Sequence, residues 1–178
     1  MLFRRAVTLF AAATLAGAAS GGPAHEHGAA RLDVAVENNR VMLYLDTPLD
    51  NLLGFEHAPR SDAERQKADA VVARLKAPEG LFRIDPAGGC TPATVVLNAA
   101  ALGLGPMADA ADGKDSAHAD LEAQYSFDCK TASRAGFVEL ALFEAFPALK
   151  RVDLQVISAK GQMKVTLRRP QTRVALVR

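Results

Sequence analysis

The stretch RLDVAVENNRVMLYLD, residues 31–46, decides the fold class. Apolar side chains occupy every second position of both halves, at residues 32, 34 and 36 and at residues 41, 43 and 45. A period of two is typical of a strand with one buried face. Asn38 and Asn39 lie between the halves, and asparagine tolerates the positive φ of a tight hairpin turn. The stretch therefore predicts a β-hairpin.

A helix is predicted downstream of this hairpin. Pro48, Gly54 and Pro59 forbid a long regular element over residues 47–60, so we expect an ordered loop that its leucines hold on the core. From Ser61 the chain matches the capping box S-x-x-E, and apolar side chains then recur at residues 68, 71, 72 and 75. This spacing predicts an amphipathic helix over Ser61–Lys76 that lies on a sheet.

The rest of the chain predicts further short strands. They fall at residues 94–98, 121–128, 137–142, 152–158, 163–167 and 172–177, with a hairpin turn at 159–162. Short connections and one clear helix favour an α+β fold, mainly an antiparallel β-sheet built of hairpins. Because no repeat or domain boundary is evident, residues 25–178 are interpreted as a single domain.

The first 24 residues have the pattern of a secretory signal peptide. Arg4 and Arg5 precede an apolar run of 14 residues, Ala6–Ala19, and small residues follow. The run is shorter than the roughly 20 residues that span a bilayer. We therefore expect a periplasmic protein with no membrane span after signal removal. The full chain has 21 basic and 20 acidic residues, a balance that disfavours a nucleic-acid partner.

The predicted export to an oxidising compartment decides how the two cysteines are most simply interpreted. Cys90 and Cys129 are most simply a disulfide there, although a metal site with two thiolates is the competing interpretation. If the two flanking strands pair antiparallel with Cys90 opposite Cys129, Thr94 faces Tyr125.

The histidines are the residues with the clearest chemistry. His25 and His27 point the same way in an extended backbone, and His118 has the same spacing from Asp120. Imidazole and carboxylate donors suit Zn(II), with Cu(II) or Ni(II) as alternatives. The candidate metal ligands are His25, His27, His57, His118 and Asp120.

Catalytic motifs are absent from the sequence. The chain contains neither H-E-x-x-H nor G-x-S-x-G, so no catalytic residue is predicted and an enzyme is not expected. Two further functions stay open. If cleavage follows Ala24, His25 with its free amine is a candidate copper ligand. Alternatively, the protein is a non-metal periplasmic interaction module that partners a transporter through an exposed strand edge.

Several segments together resemble a known family of exported bacterial proteins. The matching stretches are AHEHGAARLDVAVE, LDTPLDNLLGFEHAPRSDAER, GCTPATVVL, AHADLEAQYSFDC, ALFEAFPALKRVDLQVIS and GQMKVTL. They cover nearly the whole chain after the signal. The family was long described as a domain of unknown function, and a zinc-regulated periplasmic zinc-binding protein represents it.

The resemblance implies a periplasmic protein that captures, buffers or delivers Zn(II) in zinc homeostasis, with a zinc transporter or metallochaperone as partner. By motif it assigns the family's histidines to all four positions named above, with Asp120 beside His118 and Glu56 as a weaker candidate. Relatives usually carry a long loop dense in histidine between the two cysteine strands. Residues 99–117 contain no histidine here, so we expect about one bound ion.

Overall fold

The computed structural model describes residues 26–105 and 119–176. The predicted signal peptide, His25 and His118 lie outside these residues. The strands are β1 (Ala29–Val36), β2 (Arg40–Pro48), β3 (Phe82–Ile84), β4 (Cys90–Asn98), β5 (Asp120–Cys129), β6 (Phe137–Leu140), β7 (Arg151–Ser158), β8 (Gly161–Arg168) and β9 (Arg173–Ala175). The helices are α1 (Asp50–Leu53), α2 (Asp62–Leu75) and α3 (Leu142–Ala145). These elements confirm the predicted α+β class with one main helix.

The predicted hairpin is formed by β1 and β2, which pair antiparallel from Arg31–Asp46 to Val36–Val41. Its turn differs from the prediction, because no residue other than glycine has a positive φ in the described chain. A hydrogen bond from Glu37 N to Arg40 O closes the turn. The carbonyl of Asn39 instead accepts a hydrogen bond from Cys129 N.

The hairpin forms the centre of a six-stranded sheet with the order β4-β5-β2-β1-β7-β8. Neighbouring strands are antiparallel except for β1 and β7, which run parallel. One face of β1 and β2 is buried at every second residue, as the alternation predicts. The opposite face carries the polar side chains.

The register of β4 against β5 corrects the prediction. Cys90 lies opposite Cys129, but a β-bulge between Pro92 and Thr94 shifts the rest of the strand by one residue. Thr94 therefore faces Ser126 and not Tyr125. Pro92 has no N–H to give to the ladder, and proline in strands is typically found at edges and bulges.

A second sheet of three strands, in the order β3-β6-β9, was not predicted as a unit. Strand β3 has only three residues, too few for a visible period. Strand β6 ends at Leu140, two residues before its predicted end, and Leu142 already belongs to α3. The Phe82 ring packs against Tyr125 of the larger sheet with centroids 4.9 Å apart, so the two sheets share a core.

Helix α2 begins and ends within one residue of its predicted bounds. The Ser61 hydroxyl accepts a hydrogen bond from Glu64 N at 3.2 Å, which is the predicted cap. Ala68 and Leu75 are buried. Within residues 26–105 and 119–176, no helix has both the length and the apolar character needed to cross a membrane.

Candidate metal centre

Asn51 fixes the start of β1 against α1. This side chain is 2% exposed. Its Oδ1 accepts a hydrogen bond from Gly28 N at 2.5 Å, and its Nδ2 donates to Ala29 O at 2.7 Å and to Thr47 Oγ1 at 3.0 Å. Buried polar groups are stable only when they are paired in this way. The residue before Gly28, His27, is thereby held beside the helix that carries Asp50.

His27 lies between two carboxylates. Its Nδ1 is 3.5 Å from Asp50 Oδ2, and its Nε2 is 3.0 Å from Glu56 Oε1. The His27 side chain is 62% exposed, so the imidazole is open to solvent and to ions. Two carboxylates beside one imidazole favour a cation at this point of the surface.

The two ring nitrogens diverge, so Asp50 and Glu56 lie on different sides of the His27 imidazole. Ligand atoms in a tetrahedral zinc site lie about 3.4 Å apart, given metal–ligand bonds of about 2.1 Å. The 3.0 Å between His27 Nε2 and Glu56 Oε1 comes close to this separation. Asp50 Oδ2 lies 3.5 Å from Nδ1, on the other side of the ring.

Glu26 is engaged elsewhere. Both of its oxygens accept hydrogen bonds from the Arg151 guanidinium, at 3.0 and 2.8 Å. This pairing, together with the charge of Asp153, raises the pKa of Arg151 above its usual value. The ion pair ties the residue before His27 to β7, so the histidine is held from both sides.

His57 lies in the loop between α1 and α2. Its Nδ1 is 2.9 Å from Ala58 O, and its ring stacks on Phe55 with centroids 5.0 Å apart. The Glu64 carboxylate accepts a hydrogen bond from Arg60 N at 2.6 Å, which anchors the far end of this loop to α2. That hydrogen bond is the main reason why the pKa of Glu64 lies below its usual value. With Nδ1 facing a carbonyl, Nε2 of His57 is the nitrogen left to bind a metal.

Asp120 begins β5, opposite Pro48 at the end of β2. The preceding residue, Ala119, accepts a hydrogen bond from Leu49 N at 2.7 Å. The chain that follows His118 therefore enters the sheet beside the start of α1, where Asp50 lies.

A complete metal cage is not preformed in the part of the chain that the structure describes. Within residues 26–105 and 119–176, no three His, Cys, Asp or Glu side chains are grouped so that they could hold one ion. Cys90 and Cys129 form a disulfide, as predicted, and this excludes the competing two-thiolate metal site. Of the five predicted ligands, His27, His57 and Asp120 lie within the described residues.

Asp50 and Asn51 were missed by the sequence analysis. The signal available was weak, because Asp50 looked like one more polar residue in the loop at residues 47–60. An asparagine before two leucines gives no sign that it will be buried. Glu56 was a secondary candidate, and the structure places it 3.0 Å from the His27 ring.

Comparison with known proteins adds the family. A search of curated proteins found no match. The profile of the family described as "ZrgA family zinc uptake protein" matches residues 24–176. The match covers nearly all of the described chain, including both cysteines and every candidate ligand. The chain belongs to the ZrgA family of zinc uptake proteins.

Proposed function

We propose that this protein binds Zn(II) in the periplasm and captures, buffers or delivers it without catalysing a reaction. The observation that carries the proposal is His27, whose two ring nitrogens lie 3.5 and 3.0 Å from the carboxylates of Asp50 and Glu56. Membership of a zinc uptake family makes zinc the first candidate ion.

This geometry supports the first two donors of the proposed ligand set. Nε2 of His27 and a Glu56 oxygen supply two donors of the kinds that zinc takes, while Asp50 orients the ring through Nδ1. His25 and His118 are the proposed further ligands, since one lies two residues before His27 and the other one residue before Ala119. His57 and Asp120 are the remaining candidates, and a tetrahedral zinc would take its four donors from these six residues. The segment 99–117 has no histidine, so a single ion is proposed.

The exposure of the His27 side chain supports a protein that transfers its zinc ion over one that stores it tightly. A ring that is 62% exposed reaches a passing ion or a partner's ligands without any opening of the fold. Protons compete with metal for imidazole, so the affinity should fall as the pH is lowered.

Two features of the chain support a periplasmic location. The residues that precede the domain have the composition of a secretory signal, and the Cys90–Cys129 disulfide suits an oxidising compartment. We propose the periplasm on these grounds, with a zinc transporter or metallochaperone receiving the ion.

A zinc titration of the chelator-stripped mature chain against a competing chelator tests the proposal. Wild type should bind one ion. His27→Ala should weaken binding by at least about tenfold, which corresponds to about 1.4 kcal/mol, and Glu56→Gln should weaken it less. Glu37→Gln is the matched control, because this exposed glutamate lies at the opposite end of β1. Unchanged affinity in His27→Ala would overturn the proposal.

A further inference from the structure

Strand β8 is a free edge of the six-stranded sheet. Among the described residues it pairs only with β7, from Ser158–Gly161 to Arg151–Arg168. The turn between β7 and β8 has two residues, so the flanking pair Ser158–Gly161 is hydrogen-bonded. Non-hydrogen-bonded and hydrogen-bonded pairs then alternate along the two strands. Gln162, Lys164 and Thr166 therefore direct their N–H and C=O groups away from β7.

The other edges in the described part of the chain are poor templates for strand addition. On β4, Pro92 lacks an N–H and the bulge between Pro92 and Thr94 breaks the regular spacing. The outer strands of the small sheet, β3 and β9, have three residues each. Strand β8 has eight residues in unbroken register and is the only long regular edge among those described.

Strand β8 carries two basic side chains, Lys164 and Arg168, and no acidic one. No acidic residue follows Asp153 in the sequence, whereas six lysines and arginines do. Asp153 itself is occupied, since it accepts hydrogen bonds from Arg151 at 2.9 Å and from the Thr166 hydroxyl at 2.6 Å. Lys164 and Arg168 lie on the same solvent face of β8, and within the described residues neither forms an ion pair.

These charges act against pairing of β8 with a second copy of itself. If two copies of β8 paired antiparallel with their solvent faces on the same side, the residue opposite Lys164 would depend on the register. It would be Gln162, a second Lys164, Thr166 or Arg168. None of them supplies a negative charge, and two of these registers place like charges directly opposite each other, which is destabilising. The same charges favour an acidic partner strand, since specificity rests on repulsion of wrong partners as well as attraction of the right one.

The core-facing side chains of β8 are also incompletely covered. Met163 and Val165 are only partly buried, although they face the core. A small cavity of about 70 Å³ lies beside Met163, lined also by Val156 and Leu176. Apolar side chains of an added strand would cover this margin.

We propose that β8 binds an extended segment of a partner protein in which acidic and apolar residues alternate. Its backbone hydrogen-bonds to Gln162, Lys164 and Thr166 and extends the sheet to seven strands. Its acidic side chains lie over Lys164 and Arg168, and its apolar side chains cover Met163 and Val165. The proposal does not depend on zinc binding.

The test is a titration of the isotope-labelled mature protein, followed by amide NMR, with a blocked hexapeptide of alternating glutamate and valine. We expect shifts centred on β8. Gln162→Pro removes one outward N–H and no ladder bond, and it should weaken binding by about fivefold, the value of one ordinary hydrogen bond. Gln162→Ala is the matched control and should bind as wild type does. Lys164→Glu should abolish the preference for the acidic peptide.

Three results would overturn the proposal. The first is an absence of β8 shifts at millimolar peptide. The second is equal binding of a lysine–valine hexapeptide, since that would exclude charge recognition. The third is a shift pattern centred on β4. Circular dichroism of each variant shows whether it is folded. If Gln162→Pro fails to fold, Lys164→Glu still tests whether β8 recognises the acidic side chains of the peptide.

Discussion

Replacement of Asn51 by alanine tests how the candidate site is built. The side chain is 2% exposed and makes three hydrogen bonds, to Gly28 N, Ala29 O and Thr47 Oγ1. Alanine removes all three and leaves the N–H of the buried Gly28 without a partner.

The magnitude follows from these contacts. An orphaned buried donor costs about 1–3 kcal/mol, and each further lost hydrogen bond costs about 1 kcal/mol. Some of this cost is recovered by water at the partly exposed Ala29, so we expect a net loss of about 3 kcal/mol. In a domain of this size that loss lowers the Tm by about 6–12 °C. Zinc affinity should fall as well, because His27 is no longer held beside Asp50.

The assay is thermal and urea unfolding of the metal-free mature protein, with the zinc titration repeated on the same samples. Asn39→Ala is the control, since this exposed asparagine lies in the β1–β2 turn, and its effect should stay within about 0.5 kcal/mol. A loss of less than about 1 kcal/mol in Asn51→Ala would refute the reasoning, because it would mean that the backbone groups find other partners.

Three more predictions concern the scaffold. Ser61→Ala removes the cap of α2 and should cost about 1 kcal/mol in urea unfolding, and no loss would contradict the capping assignment. The pKa of Asp85 lies below its usual value because the backbone N–H groups of Ala87 and Gly136 donate to its carboxylate. Its contribution to stability is therefore present above about pH 3.9 and is lost as the pH falls through the lower native pKa. Asp85→Asn should thus be less stable than wild type at pH 7, with the difference shrinking towards pH 2. If the stability difference between Asp85→Asn and wild type grew as the pH fell, this prediction would be contradicted. The Cys90–Cys129 bond closes a loop with a sequence separation of 39, so its reduction should lower the free energy of unfolding by about 3–4 kcal/mol. An unchanged urea midpoint after verified reduction would contradict this value.

The local patterns of the chain predicted much of the fold. The alternation in residues 31–46 predicted the central hairpin, and the capping box predicted α2 to within one residue, because both signals are carried by neighbouring side chains. The parallel pairing of β1 with β7 could not be predicted, since it joins segments more than 100 residues apart. The β4 bulge was missed because simple pairing assumes an unbroken ladder, which Pro92 does not support.

The candidate site was less predictable than the fold. Histidine is conspicuous in a sequence, so His27 and His57 could be named as candidates directly. Asp50 and Asn51 were not, because their roles exist only after α1 has packed against the start of β1. Burial of a single asparagine, which turns a polar loop residue into the anchor of the site, leaves no periodic signal.

The most direct test of the account is the position of the ion in a crystal of the mature protein grown with one equivalent of zinc and measured at the zinc absorption edge. The account predicts an anomalous peak about 2.1 Å from Nε2 of His27, with Asp50 turned to Nδ1. A peak that lies away from His27, with this histidine still free, would contradict the assignment of the metal centre.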